Sequence, residues 1–154
     1  MIGSKVEAEG INKHGAKLIS AVSNCRSPKL SIVIGASFGA GNYGMCGRAF
    51  EPRFMWALPN SKLAAMGGDQ AAGIFNTIRA SSVTQAKMSE AEVEEFTRKK
   101  KAEFDFQSTA YYGTARIWND GLVLPHEMRR VLGLSLEATL NSEMPEKKTS
   151  IFRM

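Results

Sequence analysis

The sequence is poor in the residues from which metal sites and disulfide frameworks are built. Its 154 residues include two cysteines, Cys25 and Cys46, and two histidines, His14 and His126. The cysteines do not form a Cys-x-x-Cys pair, and the four side chains lack the spacing of a structural or catalytic zinc site. We therefore predict no metal site, and the low cysteine content favours a reducing compartment.

The sequence also lacks a long apolar run. No stretch of about 18 apolar residues occurs, so we predict no transmembrane helix. Residues 1–7 contain no basic region followed by an apolar stretch, which argues against a secretory signal at that point. Hydrophobic residues make up 44% and charged residues 23% of the chain. This composition is typical of a globular protein, and the length favours one domain over residues 1–154.

Positive charge is in excess, but it is not concentrated as a nucleic-acid site would require. The formal net charge is +5, and the one basic run covers residues 98–101. That run follows four glutamates, so acidic residues come early and basic residues late in a predicted helix, which complements the helix dipole. Glu95 and Lys99 also have the i,i+4 spacing of a surface ion pair. We predict a solvated helix face and no nucleic-acid partner.

Apolar periodicity predicts helices that alternate with short strands. The predicted helices cover residues 10–26 and 69–78, one begins with a capping box at Ser89, and one begins at Pro125. The predicted strands cover residues 30–34, 54–58 and 62–66. We expect the first of these strands to be buried on both faces, because it is almost continuously apolar. The alternation predicts an α/β domain with mainly parallel strands.

A glycine-dense segment follows the first strand and contains Gly39-x-Gly41-x-x-Gly44. This spacing matches the dinucleotide-binding fingerprint. Residues 35–38 separate it from the strand, however, and residues 62–64 hold no acidic residue where the ribose ligand should lie. A P-loop is excluded because no Gly-Lys-Ser/Thr follows. Two interpretations remain open: backbone N–H groups that bind an anion at a helix start, or glycines that only permit close packing.

Several motifs, spread over nearly the whole chain, resemble one family. They are Gly-Ala-Ser-Phe-Gly-Ala-Gly-Asn-Tyr-Gly-Met-Cys-Gly-Arg-Ala-Phe at residues 35–50, Met-Gly-Gly-Asp-Gln-Ala-Ala-Gly at 66–73 and Ala-Arg-Ile-Trp-Asn-Asp-Gly at 115–121. The chain is identified on them as a member of the 3-methylcrotonyl-CoA carboxylase β-subunit family, the biotin-dependent acyl-CoA carboxyltransferases. Geranyl-CoA carboxylase is a related enzyme with a similar loop. The resemblance implies the crotonase-like fold of the ClpP/crotonase superfamily, and the chain matches only part of the C-terminal carboxyltransferase domain.

The resemblance implies a carboxyltransferase that moves a carboxyl group from carboxybiotin to an enoyl-CoA such as 3-methylcrotonyl-CoA. By alignment, the backbone amides of Ala40 and Gly41 are the catalytic groups and hold a biotin oxygen. The residues that shape the biotin pocket would be Phe38, Gly39, Asn42 and Tyr43, although packing is the favoured role for Phe38. No metal is implied in this chain, since ATP and Mg²⁺ belong to the partner subunit.

The resemblance also implies partners that this chain does not contain. They are a biotin-carrying α subunit, the N-terminal carboxyltransferase half from the same or another β subunit, and the acyl-CoA substrate, within an oligomer. The location would be the mitochondrial matrix in a eukaryote and the cytoplasm in a bacterium, with a role in leucine catabolism. The alternative is a catalytically inert chain with a structural role. One departure from the family pattern is Leu124-Pro125-His126, where an Asp-Pro pair is common.

Overall fold

The computed structural model describes residues 3–81 and 90–143. These residues form α-helices, short β-strands and two 3-10 turns. The helices are α1 (Ser4–Ala8), α2 (Ile11–Asn24), α3 (Ala40–Gly44), α4 (Gly68–Ser81), α5 (Glu90–Gln107), α6 (Ala110–Ala115) and α7 (Met128–Leu140). The strands are β1 (Leu30–Val33), β2 (Ala36–Phe38), β3 (Phe54–Ala57), β4 (Lys62–Ala64) and β5 (Gly121–Leu122). Two 3-10 turns, Arg48–Phe50 and Pro125–Glu127, complete the assignment.

All of the ladders between these strands are parallel. One sheet has the order β1-β3-β5, with Leu30 beside Phe54 and Trp56 beside Gly121. The other pairs β2 with β4, with Ala36 beside Lys62. Parallel neighbours need crossover connections, and the helices between the strands supply them. The predicted α/β class with parallel pairing is therefore confirmed.

The core is small and lies against β3. Met55 and Val123 are the largest fully buried side chains, at 1% and 2% exposure. On the other face of β3, the indole Nε1 of Trp56 donates to Ser135 Oγ of α7 at 3.0 Å. This bond explains how α7 can present a polar Ser135 to the sheet at only 4% exposure, because a buried hydroxyl must find a partner.

The prediction that residues 30–34 form a strand buried on both faces is wrong. The strand ends at Val33, its residues are half-buried, and Ile34 is 62% exposed. The reason is its place in the sheet: among the described strands β1 has β3 as a neighbour on one side only. Apolar composition alone cannot distinguish a central strand from an edge strand.

Other predicted elements hold with shifted ends. The helix predicted at 69–78 covers Gly68–Ser81, and Pro125 opens the 3-10 turn that leads into α7. The capping box at Ser89 lies outside the described residues. Helix α6 was not predicted, and it is capped by Thr109, whose hydroxyl accepts from the Tyr112 amide. Within the described ranges, no helix combines the length and apolarity needed to cross a membrane.

Candidate functional site: the turn from β2 into α3

The glycine-dense segment makes a sharp turn between β2 and α3. Gly39 has φ 65° and ψ −144°, a backbone conformation that favours glycine. Its N–H donates to Ala64 O of β4 at 3.1 Å, and a Cβ at this position would lie 3.3 Å from Ala65 O. A side chain here would meet both backbone strain and the neighbouring strand. The sequence therefore needs glycine at 39 to bring the chain back over β4.

The first two amides of α3 have no hydrogen-bond acceptor among the described residues. The first α3 amide with an acceptor is Asn42 N, which donates to Gly39 O at 3.2 Å. Among the described residues, the N–H groups of Ala40 and Gly41 have no such acceptor, as is usual at a helix start. Both residues are exposed, and a Cβ at Gly41 would meet no atom within 4 Å. The site is thus a pair of adjacent N–H donors with open space beside Gly41.

The remaining predicted pocket residues are divided between the surface and the interior of the turn. Tyr43 is 48% exposed, and its ring stands edge-on to Phe50 with centroids 5.9 Å apart. Phe38 is half-buried, with its ring 3.8 Å from where a Cβ of Gly67 would lie. Asn42 turns inward, and its Nδ2 donates to Ser37 Oγ at 2.9 Å. Phe38 therefore packs, whereas Tyr43 is accessible.

A cavity of about 320 Å³ lies on the inner side of the turn and is lined by β1 and by residues of the turn. Asn42 and Gly47 line it together with β1, but the four residues Phe38, Ala40, Gly41 and Tyr43 do not. The structure thus separates the predicted site residues into an exposed amide pair and a residue, Asn42, that faces an internal cleft.

Cys46 closes the turn in a left-handed conformation, with φ 58°. Its carbonyl accepts from Ser31 Oγ at 2.8 Å, and the residue is 9% exposed. Burial raises the pKa of the Cys46 thiol, and the opposing effects of Lys29 and Ser31 do not cancel that rise. A neutral, buried thiol is a poor nucleophile, so Cys46 is a packing residue of the turn.

An ion pair that sequence reasoning missed ties the end of the turn to β3 and β5. Arg48 donates from both terminal nitrogens to Asp120, at 3.1 and 3.2 Å, and the Met55 amide donates to Asp120 Oδ2 at 2.7 Å. Burial alone would raise the pKa of this carboxyl, but the bonds from Arg48 and Met55 outweigh it and hold the pKa below its ordinary value. In the sequence, residues 115–121 stand only as part of a family motif, and nothing in their spacing points to Arg48.

The described residues contain no group of three or more His, Cys, Asp or Glu side chains placed to hold a metal ion. Two N–H donors at a helix start can stabilise negative charge that develops on an oxygen atom. An α/β domain with parallel strands and two acceptor-free amides at a helix start is the class that the fold and the turn define.

Comparison with known proteins identifies the family. A family model described as the carboxyl transferase domain matches residues 1–153. Since the match covers nearly the whole chain, the chain belongs to the carboxyl transferase domain family. The predicted membership and the predicted crotonase-like carboxyltransferase fold are confirmed.

Individual relatives agree with this assignment and show how much of their length is matched. The chain is 47% identical to the mitochondrial methylcrotonoyl-CoA carboxylase beta chain of Arabidopsis thaliana, covering 100% of this chain and 27% of that one. It is 44% identical to the biotin-dependent 3-methylcrotonyl-coenzyme A carboxylase beta1 subunit of Mycobacterium tuberculosis, covering 100% and 30%. The crystal structure of the geranyl-CoA carboxylase beta subunit of P. aeruginosa superimposes with a TM-score of 0.82 at 43% identity, covering 100% and 29%. The chain therefore spans less than a third of these relatives.

Proposed function

We propose that this chain forms the biotin-side part of a carboxyltransferase active site. The reaction is transfer of a carboxyl group from carboxybiotin to an enoyl-CoA such as 3-methylcrotonyl-CoA. The observation that carries the proposal is the pair of acceptor-free amides at Ala40 and Gly41, exposed at the start of α3. Family membership and the names of the two 3-methylcrotonyl-type relatives support the substrate class.

The residues present fit biotin, the group that the name of the M. tuberculosis relative implies. Biotin, when bound, would supply the carboxyl group to be transferred. The N–H groups of Ala40 and Gly41 would donate to its oxygen, and open space beside Gly41 leaves room for a ring to approach the backbone. Such donors act without reorganisation because the turn already fixes them. Tyr43, which is 48% exposed, would cover one side of the bound ring, and Gly39, Phe38 and Asn42 would shape the turn that presents the amides.

The rest of the active site would come from other parts of the enzyme. They are the N-terminal carboxyltransferase half from the same or another β subunit, a biotin-carrying α subunit and the acyl-CoA substrate, within an oligomer; the similarity to the two curated β subunits supports this. ATP and Mg²⁺ would act on that α subunit. We place the protein in the mitochondrial matrix if its source is eukaryotic and in the cytoplasm if it is bacterial, with a role in leucine catabolism.

A second candidate is that the chain is inert by itself, and the same coverage of 27–30% favours it. A carboxyl-exchange assay on the isolated 154-residue chain, with biotin and a malonyl-type CoA donor, tests this. We expect no turnover, and measurable turnover would show that the missing parts are dispensable. A third candidate is a carboxylase for a geranyl-type acyl-CoA, as the name of the P. aeruginosa relative suggests.

The decisive experiment grafts this chain into a complete enzyme. Residues 1–154 replace the matching 156-residue segment of the M. tuberculosis beta1 subunit, and carboxylation of 3-methylcrotonyl-CoA is measured with the partner subunit present. We expect turnover in the chimera and a fall of about 10²–10³ on Gly41→Val, because the side chain would cover one N–H donor. Geranyl-CoA in place of 3-methylcrotonyl-CoA tests the alternative substrate.

Gly133→Val is the matched control, since a Cβ at Gly133 in α7 also meets no atom within 4 Å. It should leave turnover close to that of the parent chimera. Near-normal turnover of Gly41→Val in a folded chimera would rule out the assignment of this amide. Gly41 does not have a positive φ, so valine there does not force the backbone into a disfavoured region.

A further inference from the structure

We propose that Ser37, Asn42 and Gly47 form a staple that positions the amides of Ala40 and Gly41. Building on the proposed function, this inference assigns Asn42 to holding the turn from within. Ser37 and Gly47 have the same role. All three are positioning residues, because their contacts are made inside the turn.

The staple consists of two hydrogen bonds that meet at Asn42. Its Nδ2 donates to Ser37 Oγ at 2.9 Å, and its carbonyl accepts from the Gly47 amide at 2.7 Å. Ser37 belongs to β2, whose neighbours in register are residues of β4. Gly47 stands directly before the 3-10 turn that Arg48 ties to Asp120. Asn42 thus joins a strand on one side to an anchored turn on the other.

The staple closes around the amide pair. Ser37 lies before Ala40 and Asn42 follows Gly41, so their side-chain bond forms a ring that contains both N–H groups. Helix α3 has 5 residues, and a helix of that length is not stable by its own hydrogen bonds. The direction of the two N–H groups must therefore come from contacts beyond the helix, and the bond to Ser37 is the side-chain contact that spans them.

Gly47 is required by the same staple. A Cβ at this position would lie 1.8 Å from Asn42 Oδ1, 2.6 Å from its Cγ and 2.8 Å from its carbonyl oxygen. The Asn42 side chain therefore occupies the space that any other residue at 47 would need. A second bond, from Ser31 Oγ to Cys46 O at 2.8 Å, holds the adjacent peptide, so the inner side of the turn is fixed at two points.

The first test measures the amides directly in the chain itself. Backbone ¹⁵N order parameters of Ala40 and Gly41 should be about 0.85 in the native sequence, the value of rigid backbone, and fall below about 0.6 in Asn42→Ala. Ser37→Ala should give the same loosening without shortening Asn42. Ser37→Thr, which keeps the hydroxyl on a strand, should restore the native values. Asn12→Ala, at an exposed position of α2, is the matched control and should change neither amide.

The second test measures turnover in the chimera with the M. tuberculosis beta1 subunit. Asn42→Ala and Ser37→Ala should lower kcat by about 10–100-fold and leave KM for the acyl-CoA unchanged, since small misplacements of a catalytic group are costly. Ser37→Thr should recover kcat. If Asn42→Ala and Ser37→Ala only impaired folding, the amount of folded enzyme would fall and kcat per folded enzyme would stay unchanged.

The two measurements separate the staple from the proposed function. Unchanged order parameters in Asn42→Ala and Ser37→Ala overturn the staple, and so does a loosened turn with unchanged kcat. A native-sequence chimera without turnover overturns the proposed function, and the order parameters then still decide whether the staple exists.

Discussion

The turn at residues 35–50 and the helix pair α4–α5 contain the most distinctive sequences of the chain, yet they are held in different ways. The turn is fixed by hydrogen bonds to distant strands and by the pairing of Arg48 with Asp120. The helix pair is fixed by the packing of Phe75 against Phe96 and Phe104, with centroids 6.5 and 6.0 Å apart. Its surface ion pairs add little, because exposed pairs are screened.

This difference indicates where a substitution has local effects and where it does not. Along α5 the basic run is balanced close by: Lys99 pairs with Glu95 at 2.7 Å and Lys100 with Glu103 at 2.9 Å. In the turn, long-range contacts add to the local bonds, since Gly39 N donates to Ala64 O of β4 and Arg48 pairs with Asp120. We therefore expect the turn to be sensitive to single changes and the helix surface to be tolerant.

The largest effect is expected at Gly47. Gly47→Ala would place a Cβ 2.8 Å from a backbone oxygen and 1.8 Å from the Asn42 side chain, so the turn must move. We expect a loss of about 3 kcal/mol in the free energy of unfolding, measured by urea denaturation. Gly133→Ala in α7 has open space and should raise stability by about 0.5–1 kcal/mol. Equal changes in the free energy of unfolding for Gly47→Ala and Gly133→Ala would contradict the expected sensitivity of the turn.

The next effect concerns the helix pair. Phe75→Ala removes the ring that contacts both Phe96 and Phe104. Because Phe75 is only half-buried, we expect a loss of about 2 kcal/mol, below the roughly 3–5 kcal/mol of a fully buried phenylalanine. Urea denaturation gives the loss, and amide exchange should show it concentrated in α4 and α5. Faster exchange in the turn at residues 35–50 would mean that the two regions are coupled.

A smaller, pH-dependent effect is expected at Asp120. The pKa of the Asp120 carboxyl is lower in the folded chain than in the unfolded chain. The carboxylate therefore contributes fully to the free energy of unfolding above the unfolded pKa of about 3.9, and this contribution is lost as pH falls through the folded pKa. Asp120→Asn should cost about 1 kcal/mol at pH 7, since Arg48 is partly exposed. Urea midpoints of the two proteins should converge as pH falls below 4. A constant difference at all pH values would show that charge is not the cause.

The smallest effect is expected on the outer face of α5. Lys99→Ala removes the ion pair with Glu95, whose side chains are 71% and 53% exposed. We expect a change of less than about 0.5 kcal/mol, measured by the same urea denaturation and reduced further in high salt. If Lys99→Ala lowered the free energy of unfolding as much as Asp120→Asn does, the surface of α5 would be as sensitive to substitution as the turn, contrary to our expectation.

The position of the site could be predicted from the sequence, but its internal arrangement could not. Glycine spacing after an apolar run indicated a turn into a short helix, and the family motif indicated Ala40 and Gly41. The inward direction of Asn42 was missed, because it depends on Ser37 and Gly47 coming together in space. Arg48 and Asp120 were missed for the same reason, since they are 72 residues apart in the chain.

The sequence by itself determined the class of this protein. Alternating apolar segments were enough to predict an α/β domain with parallel strands, because periodicity is a local property. The motifs at residues 35–50, 66–73 and 115–121 carried the resemblance to the carboxyltransferase family. Only the tertiary structure decided that β1 has a single neighbouring strand among the described residues, that Ser31 donates to the Cys46 carbonyl, and that Arg48 pairs with Asp120. These features depend on which strand lies beside which, and hydrogen bonds between distant residues leave no local pattern in the sequence.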